Sequence, residues 1–94
     1  MTAGPAFDAL GDPVRRRILE LLGDGERPAG VVAHALHELF GISQPATSQH
    51  LRVLRGAGVV RGARRGREIA YSLVDDHVAH IVADAVSHAR EARS

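Results

Sequence analysis

The sequence has no cysteine and no tryptophan, and every one of its twelve basic residues is an arginine. Without cysteine, the chain can form neither a disulfide nor a thiolate metal site. Its 45% hydrophobic content supports a core, which must be aliphatic because the aromatic residues are two Phe and one Tyr. No signal-peptide pattern and no long apolar run is present, so we expect a soluble, cytoplasmic protein without membrane contact.

The length and the uneven charge predict a small domain with two kinds of partner. A chain of 94 residues buries only about 60% of the surface that it exposes when unfolded, so we expect residues 1–94 to form one domain that dimerises. Arginines are concentrated between Gln49 and Glu68, and within this span there is no acidic residue before Glu68 itself. The last twenty residues, in contrast, carry acids and histidines. A basic middle and a tail of this composition indicate different partners.

Proline, glycine and capping residues divide the chain into helices and one hairpin. We predict helices over residues 5–10, from Pro13 (capped by Asp12) to the glycines at 23–25, and over 28–40 and 75–92. The predicted strands are 59–62 and 69–73. The predicted inward residues of these elements are Val14, Ile18, Leu21 and Leu22; Val31 or Val32 with Ala35, Leu36 and Leu39; and Ile69, Tyr71 and Leu73.

Residues 41–58 predict a helix suited to the DNA major groove. Ser43 can cap it through its hydroxyl, and Pro45 lies in the first turn, where its missing N–H costs nothing. One stripe, predicted to be buried, consists of Thr47, Leu51 and Leu54. A separate polar face carries Gln44, Ser48, Gln49 and Arg52. Such a helix, entered through a glycine turn from a preceding helix, is typical of a recognition helix, although an ordinary amphipathic surface helix is the alternative.

The segment at residues 63–67, Ala-Arg-Arg-Gly-Arg, predicts a tight basic hairpin tip. Arg64, Arg65 and Arg67 around Gly66 are poor core material and good ligands for phosphates or the minor groove. A solvated turn is the alternative. The earlier run of three arginines at 15–17 is better interpreted as a solvated face.

In order, these elements resemble a winged helix-turn-helix, which is mainly α with a small β-hairpin (ααααββα). The segments ALGDPVRRRILELL, GISQPATSQHLRVLRGAGVV and RRGREIAYSL resemble the ArsR/SmtB family of bacterial metal-responsive repressors, over roughly residues 7–90. The resemblance implies a homodimer that binds double-stranded operator DNA without metal and releases it when metal binds. The predicted DNA-binding residues are Ser43, Gln44, Thr47, Ser48, Gln49, Arg52, Arg64, Arg65 and Arg67.

The helix before the recognition helix departs from the family pattern. It reads GVVAHALHELF and lacks the cysteine pair that family members use for soft metals, so thiolate sensing of arsenite, cadmium or lead is excluded. It is also about three residues longer than the usual pattern. His34 and His37 remain a minor alternative pair of ligands.

The last helix carries the candidate metal ligands Asp75, His77, His88 and Glu91. His77 and His88 share a face, but about 16 Å separates them along the axis, so one ion cannot contact both within a chain. Antiparallel pairing with a second copy would bring the start of one helix beside the end of the other and create two equivalent four-ligand sites. Two imidazoles and two carboxylates suit zinc, with cobalt or nickel possible.

This spacing is similar to the inter-subunit zinc site of zinc-sensing family members. Two alternatives stay open within one chain: a facial set of His80, Asp84 and His88, or the pair His77 and His80. Solvated polar residues on a dimer helix are the third interpretation.

Three functional hypotheses follow: a metal-responsive repressor, a repressor whose last helix only dimerises, and a small metalloenzyme. We expect no enzyme, because no general base stands in a cleft-forming context. The predicted dimer contacts come from the first and last helices, through Phe7, Leu10, Val78, Val82, Ala85 and Ala89.

Overall fold

The computed structural model describes residues 12–92, with side chains described up to residue 88. The predicted helix over residues 5–10, and with it the candidate dimer residues Phe7 and Leu10, lies outside the described residues. The elements within them are α1 (Pro13–Gly23), β1 (Arg27–Pro28), α2 (Ala29–Phe40), α3 (Gln44–Gly56), β2 (Val60–Arg65), β3 (Glu68–Leu73) and α4 (Asp76–Ala92).

Helix α1 begins as predicted, with Asp12 as its cap. The Asp12 carboxylate accepts from the backbone N–H of Val14 at 2.8 Å and of Arg15 at 3.1 Å. The buried residues are Ile18, Leu19 and Leu22. Leu21 is only half-buried, whereas Leu19, which the sequence pattern did not single out, is fully buried. Helix α1 is contacted by α2, α3, α4 and β3, so its buried face is broader than one periodic stripe.

Helix α2 buries fewer residues than its apolar pattern predicts. Val32 and Leu36 are fully buried, whereas Val31 is 50% exposed and Leu39 is 59% exposed. Leu39 follows the helical period of the buried pair, but it lies in the last turn of α2, where residues 37–40 are all exposed. The prediction that Leu39 points inward is therefore wrong. Gly41 ends α2 in the left-handed conformation, with φ of 70°, and starts the turn into α3.

The three strands form an antiparallel sheet in the order β1-β3-β2. The hairpin is longer than predicted, because β2 continues to Arg65, which pairs with Glu68. Ile69 was predicted to be buried but is 37% exposed, since it lies beside this extended tip, while Ala70 on the opposite face is buried. Tyr71 is buried as predicted.

Helix α4 packs on α1 and β3 and completes the core. Asp75 caps it, with its Oδ1 accepting from the N–H of Val78 at 2.9 Å. Val78 and Val82 are 8% and 2% exposed and belong to the core of their own chain. The prediction that these two valines form the dimer interface is therefore wrong. No helix among residues 12–92 is long and apolar enough to cross a membrane.

Candidate nucleic-acid interface and metal-binding residues

Helix α3 is anchored to the core by the stripe that its sequence predicts. Thr47, Leu51 and Leu54 are 1%, 2% and 0% exposed. The helix is capped by Ser43, whose hydroxyl accepts from the N–H of Ala46 at 3.2 Å. A helix fixed on one side in this way presents its other side in a defined orientation.

The opposite side of α3 is polar and open to solvent. The exposed side chains are those of Gln44, Ser48, Gln49 and Arg52, together with Ser43 at the cap. The Arg52 guanidinium donates to Oε1 of Gln49 at 3.0 Å, so these two side chains lie side by side on the surface. The structure brings these predicted residues together on one face that offers donors, acceptors and a positive charge.

Thr47 does not belong to this face. Its side chain is buried in the core, so its assignment to DNA contact is wrong, since a residue in the buried stripe cannot also reach the groove. Among the described residues, its hydroxyl oxygen has no hydrogen-bond partner. A buried hydroxyl without a partner costs stability.

The hairpin of β2 and β3 brings the three predicted arginines to one exposed tip. Arg64 and Arg65 end β2, and Arg67 follows Gly66, which turns the chain with φ of 65°. A side chain at Gly66 would be strained in this conformation. The tip therefore exposes three guanidinium groups within four residues.

One wing arginine has a partner that the sequence did not predict. The Arg65 guanidinium donates from Nε to Oε1 of Glu26 and from Nη2 to Oε2, both at 3.0 Å. This hydrogen bond lowers the pKa of Glu26 from its ordinary value of 4.5 and raises that of Arg65. The two residues are 39 positions apart, so no local pattern joins them.

The arginines at 15–17 contact other residues of the chain. Arg16 and Arg17 lie 3.8 and 3.3 Å from the carboxylate of Glu20. Arg15 donates to Nδ1 of His50 on α3 at 3.4 Å, which links the start of α1 to the recognition helix. These contacts agree with the interpretation of this run as part of a solvated face.

The candidate metal ligands on α4 lie outside the core. Asp75, His77 and His88 are exposed, and Oδ1 of Asp75 is engaged as the helix cap, while its second oxygen accepts no hydrogen bond from the described residues. Glu91 lies in α4 beyond the described side chains. No group of three or more His, Asp or Glu that could hold a metal forms within the described part of one chain, so the facial set of His80, Asp84 and His88 is not formed.

Within one chain, each end of α4 could supply only part of a metal site. His77 and His88 recur at about three helical turns, so both lie on the solvent side of α4 while Val82 faces the core. Each end of the helix then offers one imidazole close in sequence to one carboxylate. Nitrogen and oxygen donors of this kind suit zinc, and two chains are needed to supply four.

A helix presenting a polar face, entered from a second helix and flanked by a basic β-hairpin, defines a winged helix-turn-helix protein. The sequence matches a helix-turn-helix domain family over residues 10–63. It is 48% identical over 89 residues to the HTH-type transcriptional repressor SmtB of Mycobacterium tuberculosis, covering 95% of this chain and 63% of SmtB. It is 46% identical over 67 residues to the transcriptional repressor SdpR of Bacillus subtilis, covering 71% of this chain and 70% of SdpR.

A solved structure agrees with these relatives. The homodimeric winged helix-turn-helix DNA-binding domain of a possible ArsR-family regulator from Mycobacterium bovis superposes with a TM-score of 0.79 at 30% identity, covering 93% of this chain and 77% of that one. The chain belongs to the ArsR/SmtB family of winged helix-turn-helix transcriptional regulators. It spans less than two thirds of the length of SmtB. The relatives named here are transcriptional repressors and a possible transcriptional regulator.

Proposed function

We propose that residues 1–94 form the DNA-binding domain of a cytoplasmic transcriptional repressor that binds its operator as a homodimer and releases it when a divalent metal binds. The observation that carries the DNA-binding part is the exposed polar face of α3. That face is held in place by three buried side chains and flanked by the arginine-rich hairpin tip.

On DNA, the two structural units have different tasks. Gln44, Ser48 and Gln49 contact base edges in the major groove, where amide side chains pair with adenine. Arg52 and Ser43 border this set. Arg64, Arg65 and Arg67 bind phosphates or enter the minor groove, which holds the protein on the duplex without selecting a sequence.

The dimer follows from the symmetry of such operators and is supported by the homodimeric solved relative. We propose that it forms between the first and last helices. Because Val78 and Val82 are used in the core, Ala85, Ala89, Phe7 and Leu10 remain as candidate contacts. Ala85 is half-buried in the single chain.

For metal sensing, we propose two sites across the dimer, each formed by Asp75 and His77 of one chain with His88 and Glu91 of the other. Zinc is the first candidate, with nickel or cobalt possible. Held by Asp75 and His77 of one chain and His88 and Glu91 of the other, an ion would link the two last helices. That link would favour an arrangement of the protomers that is unsuited to DNA, and by linkage DNA would weaken metal binding by the same factor.

A second candidate keeps the repressor and omits the metal. It is favoured by the exposure of Asp75, His77 and His88 in the single chain, which solvated polar residues on a dimer helix would show equally. In this case α4 serves dimerisation alone.

Titration of the protein with zinc, cobalt and nickel, followed by fluorescence anisotropy of an operator fragment, separates the two candidates. We expect operator affinity to fall by about 5- to 150-fold in metal, the usual range of allosteric coupling. His34→Ala tests the alternative pair His34 and His37 on α2, and it should respond as the wild type does if the metal binds at α4. Operator binding that is unchanged by all three metals would support the second candidate.

A mixed dimer tests the pairing of ligands across the two chains. His77→Ala and His88→Ala homodimers should each lose both sites. In a dimer of one chain of each, the His88→Ala chain still supplies Asp75 and His77, and the His77→Ala chain supplies His88 and Glu91. One complete site is rebuilt, so cobalt absorption should return to about half of the wild-type signal. A signal no higher than that of the two homodimers would refute the shared site.

A further inference from the structure

The contact between Arg65 and Glu26 spans the sheet. Arg65 ends β2, Glu26 immediately precedes β1, and β3 lies between these two strands. Arg65 is paired with Glu68 at the tip, whereas Arg27, the neighbour of Glu26, is paired with Tyr71 further along β3. The Arg65 side chain therefore extends back from the tip toward the base of the hairpin.

This contact uses the same donors that Arg65 would offer to DNA. A guanidinium binds a carboxylate and a phosphate in the same two-bond geometry. Nε and Nη2 of Arg65 are both engaged by Glu26 at 3.0 Å. Arg65 cannot bind a phosphate through this pair of donors until its hydrogen bonds to Glu26 are broken.

The other two wing arginines are not held in this way. Arg64 is paired in the ladder with Ile69, on the opposite face from Arg65, and Arg67 lies in the turn. Among the residues that the structure describes, neither has an ion pair. Glu26 thus distinguishes Arg65 from its two neighbours.

We propose that Glu26 is an intramolecular counter-ion, which occupies Arg65 in the free protein and is replaced by a backbone phosphate when DNA binds. Glu26 is a positioning residue in this scheme, since it acts on DNA only through Arg65. The proposal rests on the DNA-binding function proposed above. Its consequence is an operator affinity lower than three unoccupied wing arginines would provide.

The exposure of the pair makes this exchange possible. The side chains of Arg65 and Glu26 are 63% and 38% exposed, and exposed ion pairs are weak. The phosphates of a DNA duplex compete with the added advantage of counterion release. Because Arg65, with a contribution from Arg61, holds the pKa of Glu26 below 4.5, Glu26 is charged near neutral pH, and DNA rather than a proton must release Arg65.

The test is Glu26→Gln, with DNA affinity measured over a series of salt concentrations. We expect binding to become about two- to fivefold tighter at low salt, since an exposed ion pair of this kind is weak. The gain should shrink as salt rises, because salt also weakens the ion pair that the wild type must break, so the slope of log K against log salt should steepen by less than the value of about 0.9 for a whole phosphate contact. Operator and unrelated duplex should gain equally, because the contact that Arg65 makes is to the backbone.

Two controls separate release of Arg65 from a general charge effect. Asp24→Asn removes a carboxylate two residues away in the same loop, and it should leave the salt slope unchanged. Glu26→Gln made in an Arg65→Ala background should lose its effect on both affinity and slope. Melting curves of each variant, followed by circular dichroism, check that the fold is retained.

Three results would overturn the proposal: weaker DNA binding by Glu26→Gln, an unchanged salt slope, or a gain that persists without Arg65. The first would show that Glu26 orients Arg65 for DNA instead of withholding it. Each of these leaves the proposed function intact, because the wild type still binds. A wild type that binds no duplex DNA would instead refute the proposed function, and this inference with it.

Discussion

The helices α3 and α4 have similar amphipathic patterns and use them differently. In α3 the apolar stripe of Thr47, Leu51 and Leu54 is buried in the chain's own core, as predicted, and the polar face is left for a partner. In α4 the stripe that was predicted to meet a second chain is buried in the same core, through Val78 and Val82. Its exposed face carries the histidines.

The difference shows what can be inferred from the helical periodicity of apolar residues and what cannot. A spacing of three and four residues identifies the side chains that will be buried together, but it does not identify the surface that buries them. For α3, the periodic side chains are buried by the chain's own core, because a recognition helix must be fixed by its own domain. For α4, periodicity alone does not decide whether α1 and β3 or a second chain buries the same valines.

The comparison of α3 with α4 can be tested by substitutions, and the largest loss of stability is expected at Leu54, a fully buried residue of α3. Leu54→Ala should lower the free energy of unfolding by about 2–5 kcal/mol, because it removes buried methyl groups and leaves a cavity. Val53→Ala on the same helix is the control, since Val53 is 39% exposed and its loss should matter much less. Urea denaturation of both variants measures the difference, and equal losses would mean that α3 is not anchored as described.

Val82→Ala tests whether α4 uses its stripe in the core or in the interface. A loss of about 1.5–3 kcal/mol in the free energy of unfolding is expected for two buried methyl groups and the space they leave. If Val82 belongs to the core, the denaturation midpoint falls by the same amount at every protein concentration, and the dimer dissociation constant from sedimentation is unchanged. Ser87→Ala, at an exposed position of α4, is the control. A weakened dimer with an unaltered fold would restore the original prediction.

Local signals predicted much of the fold. Asp12 and Ser43 were identified as caps from their side-chain chemistry, and both accept the backbone N–H groups expected of them. Leu51 and Leu54 followed from periodicity. Ile69 and Leu39 were wrong because periodicity does not show where an element extends past the residues that cover it. Strand β1 has only two residues, too few for any pattern to mark it.

The candidate site was predictable to the extent that its residues are close in sequence. The polar face of α3 and the basic tip each arise from one short segment. Glu26 was missed because its partner Arg65 is brought to it by the sheet, across 39 positions. The metal ligands stay a prediction because their partners are not even in the same chain, since the proposed site forms only when two chains meet.

The smallest change in stability is expected at Thr47, which was predicted to lie both in the buried stripe and among the DNA-binding residues of α3. Thr47 is 1% exposed, and its hydroxyl is buried without a partner in the described part of the chain. Valine has nearly the same shape and a similar helix propensity, so Thr47→Val removes an unpaired polar group and should stabilise the fold by about 1 kcal/mol. Operator affinity and sequence preference should not change, because Thr47 does not face the groove. Thr47→Ser is the matched control: it keeps the hydroxyl, loses the methyl group and should destabilise. If Thr47→Val instead reduced operator affinity while raising the melting temperature, Thr47 would contribute to DNA binding after all, and the division of α3 into a core face and a DNA face would have to be redrawn.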